Sequence, residues 1–393
     1  MRTLPRLPQS RKIVGAPYND ASPGMTLNFD NLRWDGLLPR PATQHDAVEL
    51  AEFHAVKNVL ITGSGGSIGS ALAQAICAAG PRALVLLDAS EQNLFRIHTL
   101  LSERFGAESH VPILGSVADE RCLRDIFERY RPEIIYHAAA LKHVPLMERN
   151  PFAVVQNNVF GTLTLAMTAR RFQSGRLLMI STDKAVNPHS IMGASKRLAE
   201  IVLLGLGDTG TRMSSIRLGN VLGSEGSVVP LFLEQIERGG PVTVTHPDVE
   251  RYFLSMEETV SCILRAAASD HGDSGVCFPD MGDPIKIADL ARYLIDQASA
   301  ANIAIAYTGL RSGDKLCEEF ASEREALSEQ SVDGLHWIES LRLSSQEMDD
   351  GMNQLKAAVD EMNLAKLLAT LTRLVPEYRP SAYLQSQVEQ AAT

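Results

Sequence analysis

Between residues 57 and 220, short apolar runs alternate strictly with longer helical segments. The runs are nearly continuous in Val, Ile and Leu, which is typical of strands buried on both faces. Strands are predicted at residues 57–62, 82–88, 110–114, 133–140, 176–182 and 212–218, and helices at residues 67–80, 91–105, 119–130, 151–172 and 190–206. The sequence therefore predicts an α/β fold with a doubly wound parallel sheet that carries helices on both sides.

A glycine-rich loop joins the first predicted strand to the first predicted helix. Its residues are Gly63, Ser64, Gly65, Gly66, Ser67, Ile68 and Gly69. Gly63 and Gly66 permit a tight turn and a close approach to a pyrophosphate, and Gly69 lets the helix pack on the sheet. The helix N-terminus adds unpaired N–H groups and a partial positive charge. Between a strand and a helix, the loop predicts a Rossmann-type dinucleotide site rather than a purely structural turn.

Asp88 ends the second predicted strand, about twenty residues beyond the loop. A carboxylate at this point accepts hydrogen bonds from the adenosine ribose hydroxyls and repels a 2′-phosphate, which favours NAD over NADP. The alternative is that Asp88 caps the following helix, although Ser90 also suits that position. NAD is the predicted cofactor.

After Asn220 the alternation loosens into short elements separated by Gly, Pro and charged turns. A smaller domain after the sheet would lie over the carboxyl ends of its strands, where ligands bind. We therefore predict an N-terminal extension at residues 1–50, an NAD-binding domain at 51–220, and a smaller, mainly substrate-binding domain with C-terminal helices at 221–393.

Composition narrows the classes of partner. The 37 Lys and Arg residues against 47 Asp and Glu residues give a formal charge of -10, which argues against nucleic acid as the main partner. Five cysteines without a CxxC pair predict free thiols in a reducing compartment rather than disulfides or a metal site. The sequence lacks an apolar run of about eighteen residues and a secretory signal. The predictions are no membrane span, no metal and a cytoplasmic location.

A second motif follows the fifth predicted strand. Thr182, Asp183 and Lys184 end that strand, and Met192 and Lys196 lie four residues apart on the next helix, hence on one face. The arrangement is similar to the hydroxyl residue and Tyr-x-x-x-Lys of short-chain dehydrogenases, in which the lysine reaches the nicotinamide ribose. A thioether cannot accept a proton. Either another group transfers the proton, or the protein is inactive.

Residues 181–200, the glycine loop and residues 138–148 together resemble the polysaccharide-biosynthesis (CapD-like) family of nucleotide-sugar 4,6-dehydratases. These are extended short-chain dehydrogenases that act on UDP-N-acetylglucosamine. The resemblance runs from about Leu37 to residues 374–383. The long, membrane-anchored branch of the family is similar in having Met at the position of Met192, whereas the short branch has Tyr. The chain resembles the catalytic half of the long branch without its membrane part.

The resemblance implies a reaction in which NAD oxidises C4 of the sugar, water is lost across C5 and C6, and the hydride returns to C6. It implies Lys184 as the base at C5 and Asp183 as the acid at C6. Thr182 is expected at the C4 oxygen, with Lys184 or a water as the first base. Burial favours the neutral forms of Asp183 and Lys184 that these tasks need, whereas their mutual attraction favours the ions.

The resemblance also implies further binding residues. On the cofactor side these are Ser90, Asn93, Ala138, Ala139 and Lys196, and on the substrate side they are Lys142, Asn220, Arg251, Arg311 and Glu318. Arginines suit the diphosphate of a UDP-sugar because they bind it bidentately, although a single surface arginine is more often ion-paired. Glu225 departs from the family pattern, because an arginine is usual there and a carboxylate cannot help to hold a diphosphate.

The predicted function is a UDP-N-acetylglucosamine-type 4,6-dehydratase, and the resemblance implies a homo-oligomer. Two alternatives stay open. An epimerase or dehydratase–epimerase shares the deprotonation at C5 and differs in the face that is reprotonated. An NAD-binding pseudoenzyme is suggested by Met192 and Glu225, although the proton-transfer pair is retained.

Overall fold

The computed structural model describes Leu32, Trp34 and residues 52–207, 210–269, 274–300, 302–328, 331–332 and 334–391. The six predicted strands are confirmed as β1 (Asn58–Thr62), β2 (Ala83–Asp88), β3 (Val111–Leu114), β4 (Ile134–His137), β5 (Arg176–Thr182) and β6 (Arg212–Leu218). The helices of this half are α1 (Ser67–Ala78), α2 (Glu91–Phe105), α3 (Glu120–Tyr130), α4 (Val144–Glu148), α5 (Pro151–Val155), α6 (Gly161–Arg171) and α7 (Ile191–Leu206). The predicted long helix at 151–172 is therefore α5 and α6 joined by a π-helical turn at Gln156–Phe160.

Three later strands extend the same sheet: β11 (Val276–Pro279), β14 (Ala326–Leu327) and β15 (Leu335–Glu339). Among the described residues the sheet has nine strands, in the order β14-β15-β11-β6-β5-β4-β1-β2-β3. All neighbours pair in parallel except β15, which is antiparallel to both β11 and β14. The chain runs outward in one direction from β1 and in the other from β4, so the order reverses between these two strands. Ligands of doubly wound sheets bind at such a switch point, beyond the carboxyl ends of the strands.

Successive residues of the central strands point to opposite faces of the sheet. Val59 and Ile61 of β1 pack with residues of α1 and α2, whereas Leu60 packs with residues of α3, α6 and α7. Both faces are apolar, as expected for a parallel sheet covered on both sides. Helices therefore pack on both faces of the sheet and fix the positions at which the strands end, where the loops of the carboxyl edge begin.

A smaller layer follows the sheet in the chain. It contains β7 (Asn220–Val221), β8 (Val242–Val244), β9 (Glu250–Arg251), β10 (Phe253–Leu254), β12 (Ile285–Lys286), β13 (Ile305–Tyr307), α8 (Val228–Glu237) and α10 (Ile287–Gln297). The short strands pair as β7 with β10, β8 with β13 and β9 with β12. The predicted boundary at residue 220 lies where this layer begins, yet β11, β14 and β15 return to the main sheet after it.

Two residues of the predicted N-terminal extension are described. Leu32 is buried in the apolar core of the smaller layer, and Trp34 packs against that core. The rest of the extension predicted at 1–50 lies outside the described residues.

The remaining helices are α9 (Met256–Ala268), α11 (Ser345–Asp360), α12 (Leu364–Leu374) and α13 (Ala382–Ala391). Side chains of α11 and α12 form one apolar cluster with α7, so the C-terminal helices support the helix that carries Met192 and Lys196. Within the described ranges, no helix has the length and apolar character needed to span a bilayer.

Candidate active site

A cleft of about 430 Å³ lies at the carboxyl ends of β1, β4, β5 and β6. Its walls are Gly63, Gly66–Gly69, Ala138, Ala140–His143, Ile180–Thr182, Lys184, Met192, Lys196, Leu218–Val221 and Ser224–Ser227. The glycine loop, the β5 motif and the α7 motif, which are far apart in the sequence, therefore face one space. They meet because the carboxyl ends of parallel strands lie at the same edge of the sheet.

The N-terminus of α1 is built for an anion. Gly66 is its N-cap and offers no side chain to cap the first turn. Within the described part of the chain, nothing accepts a hydrogen bond from the backbone N–H of Ser67 or Ile68, and both residues line the cleft. Free N–H groups at a helix N-terminus bind phosphate groups through hydrogen bonds and the helix dipole.

Three glycines of the loop have no room for a side chain. A Cβ on Gly63 would lie 2.6 Å from the Ala139 nitrogen, and Gly63 has a φ of +66°. A Cβ on Gly65 would lie 2.4 Å from the Asn93 carbonyl carbon, and one on Gly69 would lie 2.0 Å from the Gly63 oxygen. The loop therefore approaches both the β4 turn and α2 closely. Its backbone forms a cradle in which a pyrophosphate fits.

Asp88 braces this loop. Its Oδ2 accepts a hydrogen bond from the Gly65 N–H at 2.8 Å, and its Oδ1 accepts one from the Ser90 N–H at 2.8 Å. The cap of α2 is Ser90, whose hydroxyl accepts from the Asn93 N–H. Of the two alternatives raised by the sequence, helix capping thus falls to Ser90. Contact of Asp88 with an adenosine ribose stays a prediction.

The β5 motif forms a compact polar group. Lys184 Nζ lies 2.9 Å from Asp183 Oδ1 and 3.2 Å from Asn220 Oδ1, and the Thr182 hydroxyl donates to Asp183 Oδ1 at 2.8 Å. Asp183 is fully buried, and its Oδ2 has no hydrogen-bond partner among the described residues. Thr182 and Lys184 line the cleft directly. A substrate in the cleft would meet the Thr182 hydroxyl and the Lys184 amine, with the buried Asp183 carboxyl directly behind that amine.

Two opposing effects act on the Lys184 amine. Burial alone would lower the pKa of Lys184, but attraction to Asp183 and to Glu318 outweighs it and holds that pKa above its ordinary value. The free chain therefore keeps Lys184 protonated. The sequence left open whether burial or attraction dominates, and for the pKa of Lys184 the attraction of the two carboxylates outweighs burial.

The α7 motif contributes an apolar and a basic side chain. Met192 and Lys196 are both buried and both line the cleft. Burial lowers the pKa of Lys196 to about 8, with Glu200 opposing the shift. Lys196 Nζ has no hydrogen bond to any residue in the described ranges. Its N–H groups are thus available to a ligand, whereas Met192 offers contact without proton transfer.

A buried carboxylate fixes the start of α7. Glu148 at the end of α4 accepts a hydrogen bond from the Ile191 N–H at 2.8 Å and another from the Ser381 hydroxyl. The Arg379 N–H donates to the Pro188 carbonyl at 3.0 Å. The C-terminal segment therefore holds the loop and the first turn that precede Met192.

The predicted substrate residues separate into two groups. Lys142 and Asn220 line the cleft, and burial lowers the pKa of Lys142 while Glu225 opposes the shift. Arg251 is buried outside the lining, where its guanidinium donates to the carbonyls of residues 250, 315 and 316. Arg311 is exposed and pairs with Asp314 at 3.2 Å. Neither arginine points to the cleft, so diphosphate binding by them stays a prediction.

Glu225 lies at the mouth of the cleft. Its N–H donates to the Ser67 hydroxyl at 3.0 Å, and its carboxylate lies 3.6 Å from Arg96 of α2. The neighbouring Gly226 packs against the His143 ring, since a Cβ there would lie 2.4 Å from the ring. The turn after β7 is therefore in direct contact with the glycine loop. Sequence reasoning missed Arg96, because an exposed helical arginine has no pattern of its own.

In the described ranges, no three His, Cys, Asp or Glu side chains are grouped so that they could hold a metal ion. All five cysteines lie in the described ranges and none forms a disulfide; Cys77, Cys262 and Cys277 are buried. The ionisable side chains that line the cleft are Lys142, His143, Lys184, Lys196 and Glu225.

Comparison with known proteins adds the family. The profile of the polysaccharide biosynthesis protein family matches residues 59–340, which include the whole cleft. The chain belongs to this family.

Three proteins that are similar to the chain carry different descriptions. The capsular polysaccharide biosynthesis protein CapD of Staphylococcus aureus is 40% identical over 79% of the chain and 52% of its own length. A UDP-glucose 4-epimerase of Rickettsia rickettsii is 32% identical over 68% of the chain and 79% of its own length. A UDP-N-acetylglucosamine 4,6-dehydratase (inverting) of Campylobacter jejuni is 30% identical over 76% of the chain and 88% of its own length. The chain spans about half the length of CapD.

Solved structures agree on the fold. Pen from Bacillus thuringiensis is 28% identical, with a TM-score of 0.66 over 73% of the chain and 88% of its own. The dTDP-glucose 4,6-dehydratase DesIV of Streptomyces venezuelae, solved with NAD and DAU bound, is 21% identical, with a TM-score of 0.60 over 67% of the chain and 88% of its own. The predicted α/β Rossmann-type fold is confirmed.

Proposed function

We propose that the chain is an NAD-dependent 4,6-dehydratase of a UDP-N-acetylglucosamine-type nucleotide sugar, acting in polysaccharide biosynthesis. The observation that carries the proposal is the Asp183–Lys184 pair: Lys184 lines the same cleft as the glycine loop and Lys196, and the buried Asp183 carboxylate lies 2.9 Å from its amine. Membership of the family and the identity to the Campylobacter jejuni dehydratase support it.

NAD is the cofactor that the loop fits. The uncapped N-terminus of α1 and the glycine cradle suit its pyrophosphate, and Lys196 would hold the nicotinamide ribose. Asp88, Ser90 and Asn93 would lie on the adenosine side. When bound, NAD supplies a hydride acceptor for C4 that can give the hydride back at C6. A solved neighbour that contains NAD, DesIV, supports this choice.

Proton transfer belongs to the side chains of the β5 motif. Lys184 has to be neutral to remove the C5 proton, and Asp183 has to be protonated to release the C6 hydroxyl as water. The 2.9 Å contact between them allows one proton to move from the Lys184 ammonium to the Asp183 carboxylate. That transfer yields the amine and the acid together and leaves the net charge of the pair unchanged. Thr182 is proposed to hydrogen-bond the C4 oxygen.

The test is turnover of UDP-N-acetylglucosamine by the purified chain, followed by mass spectrometry and NMR. We expect a product that has lost one water, with no net consumption of NAD. Lys184→Ala and Asp183→Asn should each lower kcat by roughly 10²–10⁴-fold, whereas Lys356→Ala on the exposed face of α11 should not. Unchanged sugar, across UDP- and other nucleotide-hexoses, would refute the proposal.

An epimerase is the second candidate, because a UDP-glucose 4-epimerase is among the relatives. Met192 argues against an epimerase that uses a tyrosine base, since a thioether takes no proton. Solvent deuterium at C5, and the configuration of that carbon in the product, separate retention, inversion and simple epimerisation. A pseudoenzyme would instead keep its cellular activity in Lys184→Ala and Asp183→Asn variants.

A further inference from the structure

Glu318 is surrounded by cations rather than by open cleft. The residue is 3% exposed, and its carboxylate lies 3.0 Å from Lys315 Nζ, 3.8 Å from Arg251 Nη2 and 3.9 Å from Lys184 Nζ. It does not line the cleft. The family resemblance implied Glu318 as a substrate-side residue, and a direct contact with substrate stays a prediction.

The segment that carries Glu318 is held in place from two sides. Lys315 Nζ donates to the Val186 carbonyl at 2.7 Å, next to the β5 motif. Arg251 donates to the carbonyls of Lys315 and Leu316 at 2.8 Å and 3.0 Å. The Glu318 carboxylate is therefore fixed relative to Lys184, because moving it would break contacts to the buried Arg251 and to Lys315.

The charges around Lys184 come from several elements. Asp183 lies on the same turn, Glu318 on the 311–320 loop and Arg251 on β9. The two carboxylates raise the pKa of Lys184, and the positive charge of Arg251 lowers it. Lys315 and His189 face Glu318. Asn220 on β7 accepts a hydrogen bond from Lys184 through its amide oxygen. Lys184 thus donates hydrogen bonds to Asp183 and Asn220, and Glu318 adds a second negative charge 3.9 Å away.

We propose that Glu318 is a positioning residue that holds the Lys184 ammonium, together with Asp183 and Asn220, and thereby sets the pH at which Lys184 can accept a proton. The catalytic meaning of this contact rests on the dehydratase proposed above, whereas the contact itself does not. The raised pKa of Lys184 agrees with it, since attraction to Asp183 and Glu318 overcomes burial.

The test is the titration of Lys184 in the full chain without sugar. Competitive acetylation with acetic anhydride at several pH values, read by peptide mass spectrometry, reports the pKa of this amine. Glu318→Gln keeps the size and removes the charge, so the pKa of Lys184 should fall by about one unit or more, because Arg251 also becomes uncompensated. Glu319→Gln is the matched control, since Glu319 is exposed and contacts Asn187, and it should leave the titration unchanged.

A second readout is the pH profile of turnover. In Glu318→Gln the alkaline limb of kcat should move to lower pH, because the pair loses its shared proton when Lys184 deprotonates, and KM should change less than twofold. An unchanged Lys184 titration in Glu318→Gln would overturn the proposal. If that variant does not fold, Glu318→Asp replaces it; the shorter side chain should give a smaller fall, and no fall would likewise overturn the proposal. If the Lys184 titration shifts in Glu318→Gln but the parent chain dehydrates no nucleotide sugar, the proposed function is refuted. The role of Glu318 in positioning Lys184 then still holds.

Discussion

Lys184 and Lys196 line the same cleft, yet their pKa values shift in opposite directions. Lys184 is paired with two carboxylates, so its pKa rises despite burial. Lys196 has no such partner at bonding distance among the described residues, so burial lowers its pKa to about 8 and Glu200 only moderates the shift. Burial by itself therefore does not fix the protonation state of a lysine; its neighbours do.

The lowered pKa of Lys196 predicts a stability effect that depends on pH. A lysine whose pKa is lower in the folded state than in the unfolded state destabilises the fold at pH values below the folded-state pKa, where it is charged in both states. This destabilisation shrinks as the pH rises and is gone above the unfolded-state pKa. Lys196→Met should therefore be more stable than the parent below pH 8, by up to about 3 kcal/mol, and this difference should shrink as the pH rises past the value of about 8.

Urea unfolding of both proteins from pH 7 to pH 10 measures this difference. Lys356→Met, at an exposed helical lysine, is the control and should show no such trend. A difference that is the same at every pH would contradict the assignment.

At the scale of elements, two glycines of the loop differ in whether packing leaves room for a side chain. A Cβ on Gly65 would lie 2.4 Å from the backbone of Asn93, whereas on Gly66 the nearest atom would be 3.4 Å away, the Gly63 oxygen. Gly66 also has an extended backbone that other residues adopt. Only Gly65 is therefore required by the packing of α2 on the loop, while Gly66 borders the cleft.

Two alanine variants should behave differently as a result. Gly65→Ala should lower the free energy of unfolding, by roughly 1–3 kcal/mol for an overpacked site. Gly66→Ala should stay within about 0.5 kcal/mol of the parent and should weaken NAD binding, because the methyl group lies at the phosphate cradle. Thermal unfolding and calorimetric titration with NAD check both. Equal loss of stability in the two variants would contradict the steric account.

The elements that the sequence predicted are those governed by local rules. Apolar runs, helical periodicity and the strand–glycine–helix context gave the sheet, and the 182–184 motif lies at a strand end that the sheet brings to the cleft. The partners of Glu318 and Arg251 were not predictable, because they depend on how the 311–320 loop returns to β5. The contact between Arg96 and Glu225 likewise joins two surfaces that no periodic pattern relates.

At the scale of the molecule, the second half of the chain serves both layers. β11, β14 and β15 complete the sheet, while α8 and α10 enclose the core of the smaller layer. Leu32 belongs to that core although it precedes the sheet in sequence. The sequence placed a domain boundary at residue 220 because the alternation ends there, and it had no pattern to reveal strands that rejoin the sheet.

The burial of Leu32 predicts that the smaller layer depends on it. Leu32 is 7% exposed among Val229, Phe232 and other apolar side chains. Leu32→Ala should lower the free energy of unfolding by about 2–5 kcal/mol, the usual cost of a cavity in a core. Leu231→Ala is the matched control because Leu231 is 43% exposed on α8. Equal effects of the two changes on urea unfolding would show that Leu32 is not part of the core.

The path of the hydride distinguishes the proposed dehydratase from every alternative. UDP-N-acetylglucosamine that carries deuterium at C4 is converted by the purified chain, and the product is analysed by NMR and mass spectrometry. The Asp183–Lys184 pair beside the glycine cradle predicts a product that has lost one water and carries the deuterium at C6, with the amount of NAD unchanged. Deuterium that remains at C4, deuterium that leaves with reduced cofactor, or a sugar that does not react would contradict this function.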